Sequence, residues 1–326
     1  MSRSNTTTAD GPAPPAWWKR PPTRLAFSGL VLAALFLLLP FRELVEAIRS
    51  IPVAVWPVAL VTYLSLHLIG VAKWRLMVNA AGAALSFRDA ARAYYSGLFG
   101  NTFLPSIVGG DVLRIAVAST AVRSKTALLF GSLIDRLQDV AGLTAVAGIG
   151  ALISPRALSP ESRLVFVGLG ALLLLGGLAA VAAAVVLRTR LVPYRIRRVM
   201  VRVRRAVRAT ASRPGAMAMG MALGMMLQTL LVVLNWWLGR QVGIDIPLYV
   251  WLFVWPLAKV AGLVPLTQGG IGVREAAQVA LFAPFGVAPV AALASGLVFE
   301  AVILVGGLAG GVIAHTLRRR ATEALL

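Results

Sequence analysis

The chain contains no cysteine and only two histidines among its 326 residues. Disulfides, thiolate metal sites and cysteine nucleophiles are therefore excluded, and a histidine-rich metal centre is not expected. Charged residues make up only 13% of the chain, about half of the share that soluble domains carry. A Walker phosphate-binding loop, the G-x-S-x-G motif of hydrolases and metal-ligand spacings are also missing. We therefore expect no catalytic motif, no metal and no cofactor.

Apolar residues dominate the sequence instead. They make up 59% of the chain, with a mean hydropathy of +0.82, which is more apolar surface than a soluble domain buries. Runs of about 20 apolar residues are long enough to cross a bilayer as helices. The sequence therefore predicts an all-α polytopic membrane protein with six full spans, near residues 24–41, 53–72, 126–153, 164–187, 215–239 and 288–314.

Basic residues outnumber acidic ones by 32 to 12, which gives a net charge of +20. They are concentrated in the short connections on one side of the membrane, where cytoplasmic loops carry excess Lys and Arg. This pattern disfavours nucleic-acid binding and predicts that both termini are cytoplasmic. The predicted cytoplasmic residues include Lys73, Arg75, Arg88, Arg92, Arg123, Lys125, the segment 188–213 and residues 318–320. The opposite side carries Arg42, Arg49, Arg156, Arg163 and Arg240, roughly balanced by Glu43, Glu46, Glu161 and Asp245.

Three regions follow from this pattern. We predict a disordered cytoplasmic tail at 1–22, an integral membrane domain at 23–317, and a basic cytoplasmic tail at 318–326. The connection 188–213 carries ten arginines, and its apolar residues recur every three or four positions. An amphipathic helix over 190–212 that lies on the inner leaflet and binds anionic headgroups fits this pattern. The alternative is a helix that serves only as a topological anchor.

Two segments 160 residues apart share a helix-breaking pattern in apolar surroundings. Leu104–Arg114 and Val264–Arg274 both read apolar-Pro-x3-Gly-Gly-x3-Arg. Proline and paired glycines interrupt a helix, and an arginine at membrane depth is costly. We predict that residues 93–121 and 248–285 form re-entrant helical hairpins. Because three spans separate them, the second hairpin is predicted to enter from the opposite face, as in the inverted repeats of transporters.

Each hairpin carries groups that suit a phosphate. A helix that begins after two glycines offers free backbone N–H groups and a positive dipole end. An arginine one turn later adds a planar, bidentate donor. The candidate anion-site residues are Gly109, Gly110, Arg114, Gly269, Gly270 and Arg274. The alternative is that the glycines only permit close helix packing, while Asp111 and Glu275 neutralise the arginines.

Further ionisable residues fall near the middle of the span 126–153. Asp135, Arg136 and Asp139 either pair with one another or line a polar path, and a structural ion pair of Arg136 with Asp139 or Asp111 is the simpler interpretation. Asp111 precedes Val112 where an N-cap residue is expected, and it can also orient Arg114. Two other residues, Lys259 and Glu300, are candidate charge partners or members of a proton path. His67 is interpreted as a packing residue.

The same residues give a resemblance to a known family. Over about residues 25–315, the chain resembles the lysylphosphatidylglycerol synthase transmembrane family, which includes the flippase portion of the multiple peptide resistance factor. The resemblance implies a multi-pass bacterial inner-membrane protein that moves or handles lipids. By the same resemblance, its functional positions are Asn101, Pro105, Gly109, Gly110, Asp111, Arg114, Asp135, Arg136, Gly269, Gly270, Arg274 and Glu275.

Two departures from the family pattern matter. Members commonly have glycine after the first proline, where this chain has Ser106, so that loop is expected to be slightly stiffer. The sequence ends at Leu326 without the cytosolic aminoacyl-transferase domain of bifunctional members, so we do not expect synthesis of a lysyl-lipid.

The sequence thus favours translocation of an anionic or phosphate-bearing lipid between leaflets, with membrane lipids as partners. Arg114 and Arg274 are predicted to hold the headgroup phosphate, while carboxylates rebalance the charge when it leaves. A second hypothesis is an enzyme, or enzyme subunit, of polyprenyl-phosphate sugar chemistry that uses Glu43 or Glu46, although these glutamates are more typical of a solvated turn. A third is a non-transporting scaffold of a lipid-modifying complex. A homo-oligomer is compatible with all three.

Overall fold

The computed structural model describes residues 41–103, 109–153, 207–262 and 272–318, together with the single residues 175, 201, 204 and 205. The regular structure of this part of the chain is helical, without strands. Its helices are α1 (Phe41–Arg49), α2 (Val55–Ala80), α3 (Phe87–Phe103), α4 (Gly109–Ala118), α5 (Lys125–Ile153), α6 (Pro214–Gln241), α7 (Leu248–Ala261), α8 (Val273–Phe282) and α9 (Pro289–Thr316), with a 3₁₀ turn at Ala283–Phe285. The predicted all-α polytopic class is confirmed.

Four helices of the described part, α2, α5, α6 and α9, are long and apolar enough to cross a membrane. They match the predicted spans 53–72, 126–153, 215–239 and 288–314. Several other predicted segments lie outside the described residues, wholly or for the most part: the spans 24–41 and 164–187, the tails 1–22 and 318–326, and the basic helix 190–212.

Helix α2 is longer than the predicted span 53–72, and this corrects the placement of Lys73 and Arg75. Both residues lie within the helix rather than in a cytoplasmic connection. The prediction was wrong because apolar residues continue after Lys73, and Trp74 is fully buried in the core. No helix breaker follows until Gly82, whose φ of +98° suits glycine.

Helix α1 corrects the predicted solvated turn around Glu46. Arg42 Nε donates a hydrogen bond to Glu46 Oε1 at 3.0 Å, one helical turn away, and both side chains are exposed. Leu44 is buried in the core that α6, α7 and α9 share. An amphipathic pattern over nine residues therefore forms a short helix at this position.

Two pairs of shorter helices form hairpins whose outer ends meet. Between α3 and α4, the backbone N–H of Arg123 after the hairpin donates to the carbonyl oxygen of Ala83 before it, at 3.2 Å. Between α7 and α8, the rings of Trp251 and Phe282 meet edge to face, with centroids 4.7 Å apart. Each hairpin therefore begins and ends at one end of the bundle, and its re-entry from one face of a bilayer stays a prediction.

The helix contacts of the chain stay the same when its two halves are exchanged. Helix α3 of the first hairpin packs on α9, α7 of the second hairpin packs on α5, and α2 packs on α6. The long helix that follows each hairpin therefore contacts the first helix of the other hairpin. Exchanging α2–α5 with α6–α9 reproduces this set of contacts, as an internal repeat requires.

The repeat is inverted. Along the contact between α2 and α6, Gly220 lies against Met77, and Gly224 lies against Lys73. Rising numbers on one helix thus meet falling numbers on the other, so α2 and α6 are antiparallel. Because each hairpin follows directly after one of these helices, the two hairpins start at opposite ends of the bundle.

Candidate functional site

Lys73 of α2 holds two carboxylates of α5. Its Nζ donates to Asp135 Oδ1 at 2.8 Å, to Asp139 Oδ1 at 2.7 Å and to the carbonyl oxygen of Asp135 at 2.9 Å. One turn before Asp135, Ser132 accepts a hydrogen bond from Trp74 Nε1 at 3.0 Å. Ser132, Asp135 and Asp139, which are spaced by three and four residues, therefore lie on the face of α5 that packs on α2.

Asp111 of α4 bridges two arginines. One oxygen accepts a hydrogen bond from Arg136 Nε at 2.7 Å, and the other lies 3.1 Å from Arg114 Nη2 and also contacts Arg136 Nη2. The predicted N-cap role is wrong, because α4 already begins at Gly109 and Asp111 lies in its first turn. The predicted ion pair of Arg136 is confirmed with Asp111 and, at 3.3 Å, with Asp139.

Arg114 is enclosed by carboxylates and aromatic rings. Only 4% of the residue is exposed, and its Nη2 lies 3.4 Å from Asp135 Oδ2. Its guanidinium carbon lies 4.7 Å from the ring centroid of Trp74 and 5.5 Å from that of Tyr94, which are cation–π distances. Among the described residues, Arg114 Nε has no hydrogen-bond acceptor. The first charge cluster consists of Lys73, Asp111, Arg114, Asp135, Arg136 and Asp139.

The first glycine pair lies where α4 packs against α3. A Cβ atom on Gly110 would overlap the side chain of Asn101 and the carbonyl oxygen of Gly97, so this glycine permits the close approach of the two helices. Gly109 and Gly110 are both buried, while Asn101 is exposed. The described contacts of Gly110 fit the packing alternative, and Pro105 lies outside the described residues.

Arg274 of α8 forms a second charge cluster with Glu275 and Glu300. Its Nε and Nη2 lie 3.1 Å and 2.9 Å from Glu275 Oε1, and Nη2 also contacts Glu300 Oε2. Glu275 is fully buried, and its Oε2 accepts the backbone N–H of Gly272 at 2.6 Å. Gly272 has φ of +88° and caps α8. Gly269 and Gly270 lie outside the described residues.

The two clusters share one construction. Each hairpin arginine pairs with a carboxylate of its own helix, and with a carboxylate of the long helix that follows the hairpin. Asp135 lies ten residues after the start of α5, and Glu300 lies eleven residues after the start of α9. At a rise of about 1.5 Å per residue, both lie about 15 Å from the start of their helix, at matching positions in the two halves.

A cavity of about 100 Å³ lies between the two hairpins. Tyr94 of the first hairpin and Lys259 of the second both line it, together with His67, Lys73, Asp135, Arg136, Asp139 and Gln228. Lys259 Nζ donates to Gln228 Oε1 at 3.0 Å, and within the described ranges Lys259 forms no ion pair. Arg114 and Arg274 do not line this cavity, because each is enclosed by its carboxylates.

The charges of this region balance. With Lys259 added, the two clusters contain five basic and five acidic side chains. A charge inside a membrane is costly unless an opposite charge compensates it. The region is therefore a neutral but highly polar centre, built from both halves of an inverted repeat.

The family comparison covers this centre. The family model described as "Lysylphosphatidylglycerol synthase TM region" matches residues 24–311. The chain belongs to this family. Both charge clusters and both hairpins lie within the matched residues, whereas no curated protein matches the chain. Membership in the lysylphosphatidylglycerol synthase transmembrane family indicates a membrane protein with a lipid-related role.

Within this family member, the predicted site residues fall into two groups. Asp111, Arg114, Asp135 and Arg136 belong to the first cluster, and Arg274 and Glu275 form the second with Glu300. Gly109 and Gly110 begin the helix that carries Asp111 and Arg114, and Asn101 lies against Gly110. The sequence interpretation missed Lys73, which it placed in a loop, and the aromatic partners Trp74, Tyr94 and Trp255. Trp255 lies 5.5 Å below the Arg274 guanidinium, one turn before Lys259. The apolar residues after Lys73 were the signal that it lies within a helix.

Proposed function

We propose that this family member is a flippase that moves an anionic or phosphate-bearing lipid between the leaflets of the inner membrane. The observation that carries this proposal is the burial of Arg114 together with an N–H donor that is unpaired within the described part of the chain. Its guanidinium contacts Asp135 of the long apolar helix α5, is almost fully buried, and keeps one N–H donor without an acceptor among the described residues. A planar guanidinium with a free donor suits the oxygens of a phosphate.

Ligand exchange at Arg114 is compatible with the surrounding charges. When a phosphate replaces its carboxylate partners, Asp111 keeps Arg136 and Asp135 keeps Lys73. No carboxylate is left without a cation, so the exchange avoids the large cost of an unpaired buried charge. The inverted second cluster offers a corresponding arginine, which Glu275 and Glu300 hold until the lipid reaches it.

The described arrangement corresponds to a closed state. The central cavity of about 100 Å³ is smaller than the roughly 300 Å³ at which ligand pockets begin. Passage of a headgroup therefore requires the hairpins to separate from the long helices. Two hairpins that start at opposite ends of the bundle provide one opening toward each leaflet, as alternating access requires.

Flipping is tested in vesicles that contain the purified chain and fluorescent phosphatidylglycerol, whose outer-leaflet fraction is bleached by dithionite. We expect Arg114→Gln and Arg274→Gln each to slow flipping about ten-fold or more, the effect of one lost charge-assisted hydrogen bond. The matched control is Arg240→Gln, since Arg240 is half-exposed and lies 3.8 Å from an exposed Asp245.

A second variant separates function from folding. Arg114→Gln with Asp111→Asn removes one charge of each sign, so the cluster stays neutral while the phosphate donor is lost. We expect this double variant to fold and to remain slow. If both arginine variants flip the lipid at the wild-type rate, the proposal is contradicted. Activity that is lost only in Glu43→Gln supports the polyprenyl-phosphate enzyme instead.

A further inference from the structure

A groove separate from the charge clusters runs between the first hairpin and α9. Its volume is about 540 Å³, within the range of about 300–1,000 Å³ that is typical of small-molecule sites. Arg92 and Phe99 of α3 form one wall. Leu308 and Val312 of α9 form the other, and Arg318 lies at its end. The groove therefore has a basic end and an apolar length.

The basic end lies where α3 begins and α9 ends. Arg88 Nε donates to the carbonyl oxygen of Leu317 at 3.3 Å, which joins these two helix ends. Arg92, His315 and Arg318 line the groove at this level. In the described part of the chain, Arg92 and Arg318 form no ion pair. This end belongs to the bundle face that positive-inside bias predicts to be cytoplasmic.

The apolar length follows α9 away from that end. Leu308 and Val312 are 51% and 65% exposed, and His315 lies seven residues after Leu308, about 10 Å along the helix. On the floor of the groove, a Cβ atom on Gly311 would lie 2.9 Å from Phe99 Cδ2. Glycine at this position therefore leaves room for the Phe99 ring.

We propose that this groove binds one anionic phospholipid of the leaflet on the basic face. The phosphate lies between Arg92 and Arg318, and one acyl chain extends along Phe99, Leu308 and Val312. Two guanidiniums that form no ion pair with any described residue, and that are more than 200 residues apart in sequence, match a negative headgroup. A free phosphate ion would leave the apolar length of the groove uncovered. A lipid without net charge would leave the positive charge of the two arginines uncompensated. The site does not depend on the proposed flipping.

The test uses the full chain in vesicles that contain either phosphatidylglycerol or phosphatidylcholine with a photoactivatable group on one acyl chain. After irradiation, mass spectrometry measures the labelled fraction of the peptide that contains Val312. We expect phosphatidylglycerol to label this peptide more strongly. Arg92→Gln should lower its labelling about five-fold, the effect of one arginine near a membrane surface. The control Arg123→Gln, an exposed arginine on the same face that does not line the groove, should leave labelling unchanged.

A second pair of variants tests the apolar length. Val312→Trp fills the groove and should reduce labelling of the peptide in phosphatidylglycerol vesicles, measured at residues other than 312. Val61→Trp places the same side chain on α2, at a valine that is 62% exposed and does not line the groove, and should not. Equal labelling by both lipids, or labelling that neither Arg92→Gln nor Val312→Trp reduces, overturns the proposal. Loss of labelling on addition of about 10 mM glycerol phosphate, which exceeds a millimolar dissociation constant, also overturns it, because a soluble headgroup then suffices.

Discussion

At the scale of single residues, Lys73 is the cation on which the charge balance of the first charge cluster depends most. Its ammonium group is almost fully buried and is the cation nearest to two carboxylates. Asp135 also contacts Arg114 at 3.4 Å, and Asp139 also contacts Arg136 at 3.3 Å, but these contacts are longer. Removing Lys73 therefore leaves two acids in a region that has lost its charge balance.

We expect Lys73→Met to reduce the free energy of unfolding by about 3–5 kcal/mol, the usual cost of breaking a buried ion pair on one side. The measurement is reversible unfolding in mixed detergent micelles. The control Arg42→Met breaks the exposed pair with Glu46 and should cost no more than about 1 kcal/mol. Adding Asp139→Asn to Lys73→Met should recover part of the loss. Equal losses in Lys73→Met and Arg42→Met are incompatible with this account.

Some residues of the charge clusters were predictable from the sequence, and others were not. Asp135, Arg136 and Asp139 were recognisable because they interrupt an apolar span at membrane depth. Lys73 was not, because it directly follows the predicted span 53–72, where a lysine is usually cytoplasmic. The apolar residues after Lys73 indicate a longer helix, but only the packing of α2 on α5 shows that this lysine is buried. Glu300 was predicted to be either a charge partner or a member of a proton path, and its pairing with Arg274 depends on the position of α8.

At the scale of helices, glycines set how closely the hairpins approach the long helices. On α5, a Cβ atom at Gly150 would lie 2.6 Å from the backbone nitrogen of Phe253 in α7. On α9, a Cβ atom at Gly310 would lie 3.1 Å from the carbonyl oxygen of Tyr95 in α3. The two contacts correspond under exchange of the halves. Small residues at such contacts are common in membrane helices, whose association depends on close packing.

We expect Gly150→Ala to destabilise the fold by about 1–3 kcal/mol, because the added methyl group pushes α7 away from α5. Gly148→Ala is the matched control two residues earlier. A Cβ atom there meets no other atom within 4 Å, and alanine favours the helix by up to about 1 kcal/mol. Unfolding in mixed micelles measures both variants. A Gly150→Ala protein as stable as the wild type argues against tight packing of α5 on α7.

The helical elements were largely predictable, with errors at their ends. Apolar runs identified α5, α6 and α9 within about two residues, the usual uncertainty of helix boundaries. The shared Pro and Gly-Gly pattern correctly located the two short helix pairs. Asp111 was misassigned as an N-cap because a sequence does not show how far Gly109 and Gly110 extend a helix.

At the scale of the whole molecule, the inverted repeat determines how the site is built. Because α2 and α6 are antiparallel, each half brings its hairpin to the centre from its own end of the bundle. Parity of the spans predicted this inversion. The exchange packing, in which each hairpin lies on the long helix of the other half, was not predictable from the sequence. That packing brings Tyr94 and Lys259 to one cavity.

The absence of cysteine makes the topology directly testable with single introduced cysteines. We expect Phe87→Cys and Thr120→Cys, at the two ends of the first hairpin, to react with a membrane-impermeant maleimide only in inverted vesicles. Asp245→Cys and Ala288→Cys, at the two ends of the second hairpin, should react in intact cells. The four positions are exposed or, for Phe87, 49% exposed. The physical reason is that each hairpin returns to the membrane face from which it starts. If Phe87→Cys and Thr120→Cys react from opposite faces, α3 and α4 together cross the bilayer. The two inverted openings that flipping requires are then absent.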